Sequence, residues 1–287
     1  MTSPRTILKA WNVHARKEFG QNFLNNFTIA ENILARAELK REHAVLEIGA
    51  GLGALTIPAA AKVDHLIAVE RDPRIIPLLK TELLEHKIDN VRLIEDNVLS
   101  LDFQAISKEV GRPLIVIGNL PYSISSQILI KLITERPGIQ RAILMFQKEL
   151  AERVLAAPGS RTYGRLSVIL QYCADAGVLF DVKASHFFPK PKVDSTVLEV
   201  CFKSELPHAA DDEALLVRVV RLAFGKRRKT LKNALAGSDL GLDANTVRDL
   251  LTTAGIDPVR RAETLSVAEF VRLSNSIGTT LRRIENA

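Results

Sequence analysis

Five short apolar runs, Ala44–Ile48, His65–Val69, Val91–Ile94, Leu114–Ile117 and Ala142–Phe146, recur along the chain with helix-length stretches between them. Runs of this length, bounded by turn signals and alternating with helical segments, predict parallel strands joined by crossover helices. They are apolar at nearly every position, as expected where helices cover both faces of a sheet. Gly177–Val182 and Thr196–Phe202 flank a Pro-rich loop and predict an antiparallel pair closing one edge. Beyond Pro207 the pattern becomes wholly helical. Asp211 and Asp212 are candidate N-caps for a helix through Phe224, Gly225 ends it, and Ser266-Val267-Ala268-Glu269 is a capping box for the last helix. The expected organisation is a flexible basic arm over residues 1–16, an α/β domain over 17–205 and a small all-helical domain over 206–287.

Polar groups stand where these strands end. The first runs into Glu47-Ile48-Gly49-Ala50-Gly51-Leu52-Gly53-Ala54. Glycines at a strand-to-helix turn let backbone approach a ligand closely, so Gly49 and Gly51 are candidates to hold a nucleoside-type cofactor. The string also fits a loosened dinucleotide fingerprint, so the glycines alone leave NAD open. About twenty residues on, the second strand ends at Glu70, placed to accept both hydroxyls of a ribose. The third ends in Glu95-Asp96-Asn97, where Asp96 is either an acceptor for a cofactor amine or part of a simple helix cap with Asn97 or Ser100.

The fourth strand delivers Asn119-Leu120-Pro121-Tyr122. Pro121 stiffens the turn, so the Leu120 carbonyl and the Asn119 side-chain oxygen are two acceptors within reach of one amino group. Tyr122 follows as a ring for stacking on a planar aromatic amine. No hydride-transfer acid/base pair stands beside the glycine loop, which disfavours a dehydrogenase.

Charge points to a polyanion. The chain carries a formal +6. Arg5, Lys9, Arg16 and Lys17 crowd the N-terminus against a single Glu18, and Arg218 to Lys232 holds seven cations without an acid. Phosphate neutralisation supplies most non-specific nucleic-acid affinity. Cys173 and Cys201 lack metal-ligand spacing, so no metal is expected, and two thiols in a chain this long fit a reducing compartment. The absence of an apolar leader, and of any apolar window of about 18 residues, predicts a cytoplasmic protein with no membrane span. A monomer is expected.

With Phe19-Gly20-Gln21-Asn22-Phe23-Leu24 upstream and the run from Phe187-Phe188-Pro189 to Val193-Asp194-Ser195 downstream, these residues resemble the rRNA adenine N6-dimethyltransferase family. The resemblance spans about Arg16 to Arg261 and includes Tyr163-Gly164-Arg165-Leu166-Ser167-Val168 and Phe224-Gly225-Lys226-Arg227-Arg228-Lys229-Thr230-Leu231. That tail and the Asp194-Ser195 context resemble the small-subunit branch rather than the large-subunit enzymes of macrolide resistance. The resemblance implies a Rossmann-like class I methyltransferase sheet and S-adenosylmethionine as cofactor, held by Asn22, Leu24, Gly49, Glu70, Asp96 and Asn119. It implies a catalytic group of Asn119, Leu120, Pro121 and Tyr122, with Phe187 as a second stacking aromatic, although a core ring beside the sheet edge is an equal reading for Phe187. The implied substrate is two adjacent adenosines in the 3′-terminal hairpin loop of 16S rRNA, within the 30S subunit or its precursor, receiving four methyl groups in total. RNA contacts would come from Arg16, Lys17, Lys190, Lys192, Lys226, Arg227, Arg228 and Lys229. A binding role in ribosome assembly, with methylation secondary, stays open beside this.

Overall fold

A computed structural model describes residues 2–226 and 228–285, with Lys17 and Glu285 described by backbone alone. Arg227 therefore lies outside the described residues, as does the side chain of Lys17. Among the described residues the strands are β1 (Phe23–Leu24), β2 (Ala44–Ile48), β3 (His65–Glu70), β4 (Val91–Glu95), β5 (Leu114–Asn119), β6 (Ile139–Gln147), β7 (Ala174–Val182), β8 (Phe187–Phe188) and β9 (Ser195–Phe202). The helices are α1 (Pro4–Ala10), α2 (Phe27–Ala37), α3 (Thr56–Ala60), α4 (Ile76–Glu85), α5 (Phe103–Val110), α6 (Ser125–Thr134), α7 (Lys148–Leu155), α8 (Arg165–Cys173), α9 (Glu213–Gly225), α10 (Leu231–Leu235), α11 (Ala244–Thr253) and α12 (Val267–Glu285).

Seven strands form one sheet in the order β4-β3-β2-β5-β6-β9-β7, and β1 pairs with β8 in a separate antiparallel ribbon. From β4 to β6 neighbouring strands are parallel, and β9 turns antiparallel against β6. The expected parallel units and antiparallel edge pair are both present. Strand order reverses between β2 and β5: the chain lays β3 and β4 outward on one side of β2, then returns to place β5 on the other. In open α/β sheets such a reversal opens a crevice at the carboxyl ends of the strands. The apolar side chains of β2 and β5 are fully buried, as both-face coverage demands. Gly118 allows the close approach of the two strands, since a Cβ there would stand 2.7 Å from the Ile48 carbonyl oxygen.

The segment expected as a flexible arm carries helix α1. Ser3 caps α1, its hydroxyl accepting from the Thr6 N–H at 3.2 Å. Ile7 and Leu8 are buried with Phe23, Leu52, Ile75 and Leu78. The helix has seven residues, too few for its period to be read from sequence, and packing rather than propensity holds it.

Contacts divide the chain into two compact units, one of Met1–Ala151 with Ala176–Phe202 and one of Glu152–Asp175 with Lys203–Ala287. The helical unit therefore takes α8, which the boundary expected near residue 206 leaves with the sheet. The reason is side-chain contact: the Tyr172 hydroxyl donates to Glu213 Oε1 at 3.1 Å, and Tyr163 meets Phe224 edge-on at 6.1 Å. Phe224 in turn stacks on Phe270 at 5.9 Å. The expected caps are present. Asp212 accepts from the Leu215 N–H, and Ser266 and Glu269 exchange the two bonds of a capping box.

Gly118→Ala should lower stability by about 1–3 kcal/mol, the ordinary cost of overpacking, because the obstacle is strand backbone rather than a movable side chain. Urea unfolding monitored by circular dichroism measures it.

Candidate active site

The crevice at the β2/β5 reversal is a cleft of about 810 Å³ including its open mouth, within the usual range for small-molecule sites. Asn22, Gly49, Gly51, Glu70, Asp96, Asn119, Leu120, Pro121 and Tyr122 all line it. The parallel register Glu47↔Ile117 explains the meeting of two distant motifs, because it sets the glycine loop after β2 beside the turn after β5. Gly49, at φ +75°, needs the left-handed conformation and lies against Asn119 and Pro121.

Glu70 ends β3. Its Oε2 accepts from the Gly51 N–H at 2.9 Å, and its Oε1 accepts from the Arg71 and Asp72 N–H groups, each at 2.9 Å. A carboxylate has about four lone-pair sites, so capacity remains for a ligand hydroxyl. Burial raises its pKa against the opposing pull of these backbone bonds. Asp96 follows β4, exposed at the cleft. Its Oδ1 accepts from the Asn97 N–H and the Ser100 hydroxyl, which leaves Oδ2 for a ligand. The cap in this turn is Asn97, whose side chain accepts from the Leu99 N–H, so Asp96 is not the cap residue.

Asn119 is oriented by the N-terminal motif. Its Nδ2 donates to the Asn22 carbonyl at 2.9 Å, and only an amide NH2 can pair with a carbonyl, so Oδ1 is the atom left for a ligand. Asn22 donates its own side-chain amide to the Gly20 carbonyl. Leu120 is buried and donates its N–H to the Met145 carbonyl at 3.3 Å. Tyr122 is half-buried at the cleft. Burial raises its phenol pKa, with the Ser195 hydroxyl acting in the opposite direction, so the ring is neutral near neutral pH.

Two expected residues stand elsewhere. Phe187 does not line the cleft: pairing with Leu24 across β1 and β8 turns it inward, where it is 4% exposed among Ile33, Leu34 and Ile143. Of the two readings given for Phe187, this position matches the core ring beside the sheet edge. The Leu24 side chain is in the same core, and Leu24 borders a smaller inner cavity with Glu47, Gly49 and Asn119.

Gln21 and Glu47 stand inside motifs quoted above, but the sequence assigns neither of them a role. Gln21 accepts from the Arg16 N–H and donates to Asp72, which is fully buried and ion-paired with Arg74 at 2.6 Å. Gln21 thus ties the N-terminal motif to the segment just after Glu70. Glu47 is buried within β2, and its Oε2 has no hydrogen-bond partner among the described residues. Burial pushes this carboxyl up to about 8, with the nearby Glu70 charge acting in the same direction.

The cations divide. Arg16 pairs with Glu18 at 3.2 Å and, with Arg71, flanks the Phe19 ring. Arg218 and Arg221 both pair with Asp239, outside their own acid-free run. Lys190, Lys192, Lys226, Arg228 and Lys229 are exposed.

A family model for ribosomal RNA adenine dimethylase matches residues 12–278. The chain is 50% identical over 277 residues to a ribosomal RNA small subunit methyltransferase A from Desulforapulum autotrophicum, covering 96% of this chain and 97% of that one. It is 37% identical to the protein of the same name from Alkaliphilus oremlandii, over 96% of each. Among solved structures, a dimethyladenosine transferase from Plasmodium falciparum superposes with a TM-score of 0.74 at 27% identity, over 89% of this chain and 98% of that one. The 23S rRNA methyltransferase ErmE shares the fold at a TM-score of 0.65 and 24% identity, over 90% of this chain and 100% of its own.

Glu47 gives the fold a pH dependence whose sign is fixed. Its carboxyl titrates near 4.5 when unfolded and near 8 in the fold, so the folded state holds a proton that the unfolded chain releases. This contribution is complete below the lower value and is lost as pH rises through the upper one. Within that window stability should fall by up to about 1.4 kcal/mol per pH unit, and Glu47→Gln should remove that share of the slope, leaving any part due to Glu70. Thermal melts of both proteins from about pH 5 to about pH 9 check it.

Proposed function

The chain belongs to the ribosomal RNA adenine dimethylase family, and we propose that it dimethylates N6 of two adjacent adenosines in the 3′-terminal hairpin loop of 16S rRNA. Its activity is that of an S-adenosylmethionine-dependent rRNA adenine dimethyltransferase. The proposed setting is the cytoplasm, where the enzyme works as a monomer on the 30S subunit or its precursor. No helix among the described residues is long and apolar enough to cross a membrane. The observation that carries the reading is the single cleft shared by a glycine turn, the Glu70 carboxylate and an Asn119 amide whose oxygen alone is left to accept.

The donor set suits the cofactor. Gly49 and Gly51 would let backbone approach its methionine end, Glu70 has lone pairs left that would take the ribose hydroxyls, and Asp96 Oδ2 would accept from the adenine amine. Asn22 and Leu24 contribute through the segment that orients Asn119. Bound S-adenosylmethionine supplies a methyl group activated by its sulfonium sulfur. The target N6 is a poor nucleophile because its lone pair is delocalised into the ring. Asn119 Oδ1 and the Leu120 carbonyl hold its two hydrogens, Pro121 fixes their spacing, and Tyr122 stacks on the base. Nitrogen can then pyramidalise toward the methyl, and the surplus proton leaves to water. Catalysis is positioning and charge placement rather than strong-base chemistry.

The adenosine must leave any stack to enter, which an RNA loop permits. The exposed Lys190 and Lys192 of the sheet unit and Lys226, Arg228 and Lys229 of the helical unit are the proposed phosphate contacts. The undescribed Arg227 and Lys17 side chains complete that set, whereas Arg16, also expected there, is paired with Glu18. The helical unit is the proposed ribosome-docking part.

Asn119→Ala should reduce turnover by about 10²–10³-fold, as loss of a preorganised polar contact does, with the circular dichroism spectrum unchanged. Near-normal methylation of undermethylated small subunits would sink the assignment. Arg228→Ala with Lys229→Ala should weaken subunit binding and lower the slope of log affinity against log salt by about 2, with S-adenosylmethionine affinity unchanged. Equal loss of both affinities would instead indicate misfolding.

A further inference from the structure

Tyr122 is fastened at two points. Its carbonyl accepts from the Ser125 hydroxyl at 3.1 Å, and its phenol oxygen lies 2.6 Å from Ser195 Oγ. Ser195 is fully buried and opens β9 directly opposite Gln147 of β6. The residues on either side of it are tied down as well. Asp194 accepts from the Lys148 and Ala184 N–H groups and from Lys183 Nζ, and Thr196 donates to Asp181 at 2.6 Å. The Ser195 hydroxyl is therefore a fixed point of the sheet, whereas Tyr122 belongs to a loop at the mouth of a cleft. A tyrosine ring turns about two single bonds, and this one hydrogen bond fixes where the ring lies.

We propose that Ser195 is a positioning residue for the methyl transfer, pinning the Tyr122 ring so that the second methylation of each adenosine proceeds as well as the first. This role rests on the stacking of Tyr122 against the target base proposed above. In each transfer the sulfonium–methyl bond breaks, a nitrogen–methyl bond forms, the sulfonium becomes a thioether and one amine proton passes to water. The first transfer starts from an amine with two hydrogens, one for Asn119 Oδ1 and one for the Leu120 carbonyl. The second starts from an amine with one. Half of the hydrogen-bond control of orientation is gone, and the base depends more heavily on the ring beneath it. A ring anchored to β9 retains its plane; an unanchored ring does not.

The test uses the full-length protein with undermethylated small subunits and saturating S-adenosylmethionine, with N6-monomethyl- and N6,N6-dimethyladenosine quantified by mass spectrometry over time. Ser195→Ala and Tyr122→Phe should each slow the second transfer by about fivefold to tenfold, the value of one hydrogen bond, and slow the first much less. The monomethyl product should accumulate, and the double variant should be no worse than either single one, since both remove the same bond. Unchanged melting temperature and S-adenosylmethionine affinity separate this from a folding defect. A wild-type product ratio in Ser195→Ala, equal slowing of both transfers, or additive losses in the double variant would overturn the anchor. Tyr122→Ala distinguishes the two levels: if it retains full activity, the stacking role itself falls, whereas if it is impaired while Ser195→Ala is not, only the anchor falls.

Discussion

The side-by-side packing of β2 and β5 is the contact on which the site depends. Two parallel strands about seventy residues apart in the chain approach closely enough that Gly118 has no space for a methyl group against the Ile48 carbonyl. That approach sets Gly49 against Asn119 and Pro121, so the glycine turn after β2 and the Asn119–Tyr122 turn after β5 share a wall. Sheet hydrogen bonding and the buried apolar sides of both strands make this wall rigid. A reaction that relies on placement rather than on a reactive side chain needs such rigidity.

Rigidity alone does not aim the acceptors. That task falls to short polar links from outside the sheet. The Asn22 carbonyl takes the Asn119 amide hydrogen and thereby decides which end of the amide faces the cleft. Gln21 ties the same segment to Asp72, two residues after the Glu70 carboxylate. Helix α1 packs beneath this arrangement through Ile7 and Leu8. From the start of β9, Ser195 holds the phenol of Tyr122. The N-terminal segment and β9 thus act on the two ends of one tetrapeptide.

Charge follows a comparable division of labour. Several cations that look available in the sequence are consumed locally: Arg16 by Glu18, and Arg218 and Arg221 by Asp239. Those that stay exposed, including Lys190, Lys192, Arg228 and Lys229, occupy loops and helix ends. A net charge identifies a class of partner, but the contacting residues are whichever cations have no acid folded next to them.

The sequence alone determined the alternation of strands and helices, the antiparallel edge pair, the helical tail with its caps, and the residues at each strand end. Local physics suffices for these, because periodicity, glycine freedom and capping act over a few residues. Glu70, Asp96, Asn119 and Tyr122 were legible for that reason, as members of consecutive strand-to-helix turns. Tertiary structure decided what depends on partners distant in the chain. It placed β5 beside β2, turned Phe187 into the core through its pairing with Leu24, ordered the seven residues of α1 and moved α8 into the helical unit. It also gave Gln21, Glu47, Gly118 and Ser195 their partners and their burial. Each of these is an ordinary residue in the sequence, and each takes its role from a neighbour, or from burial, that only the folded chain provides.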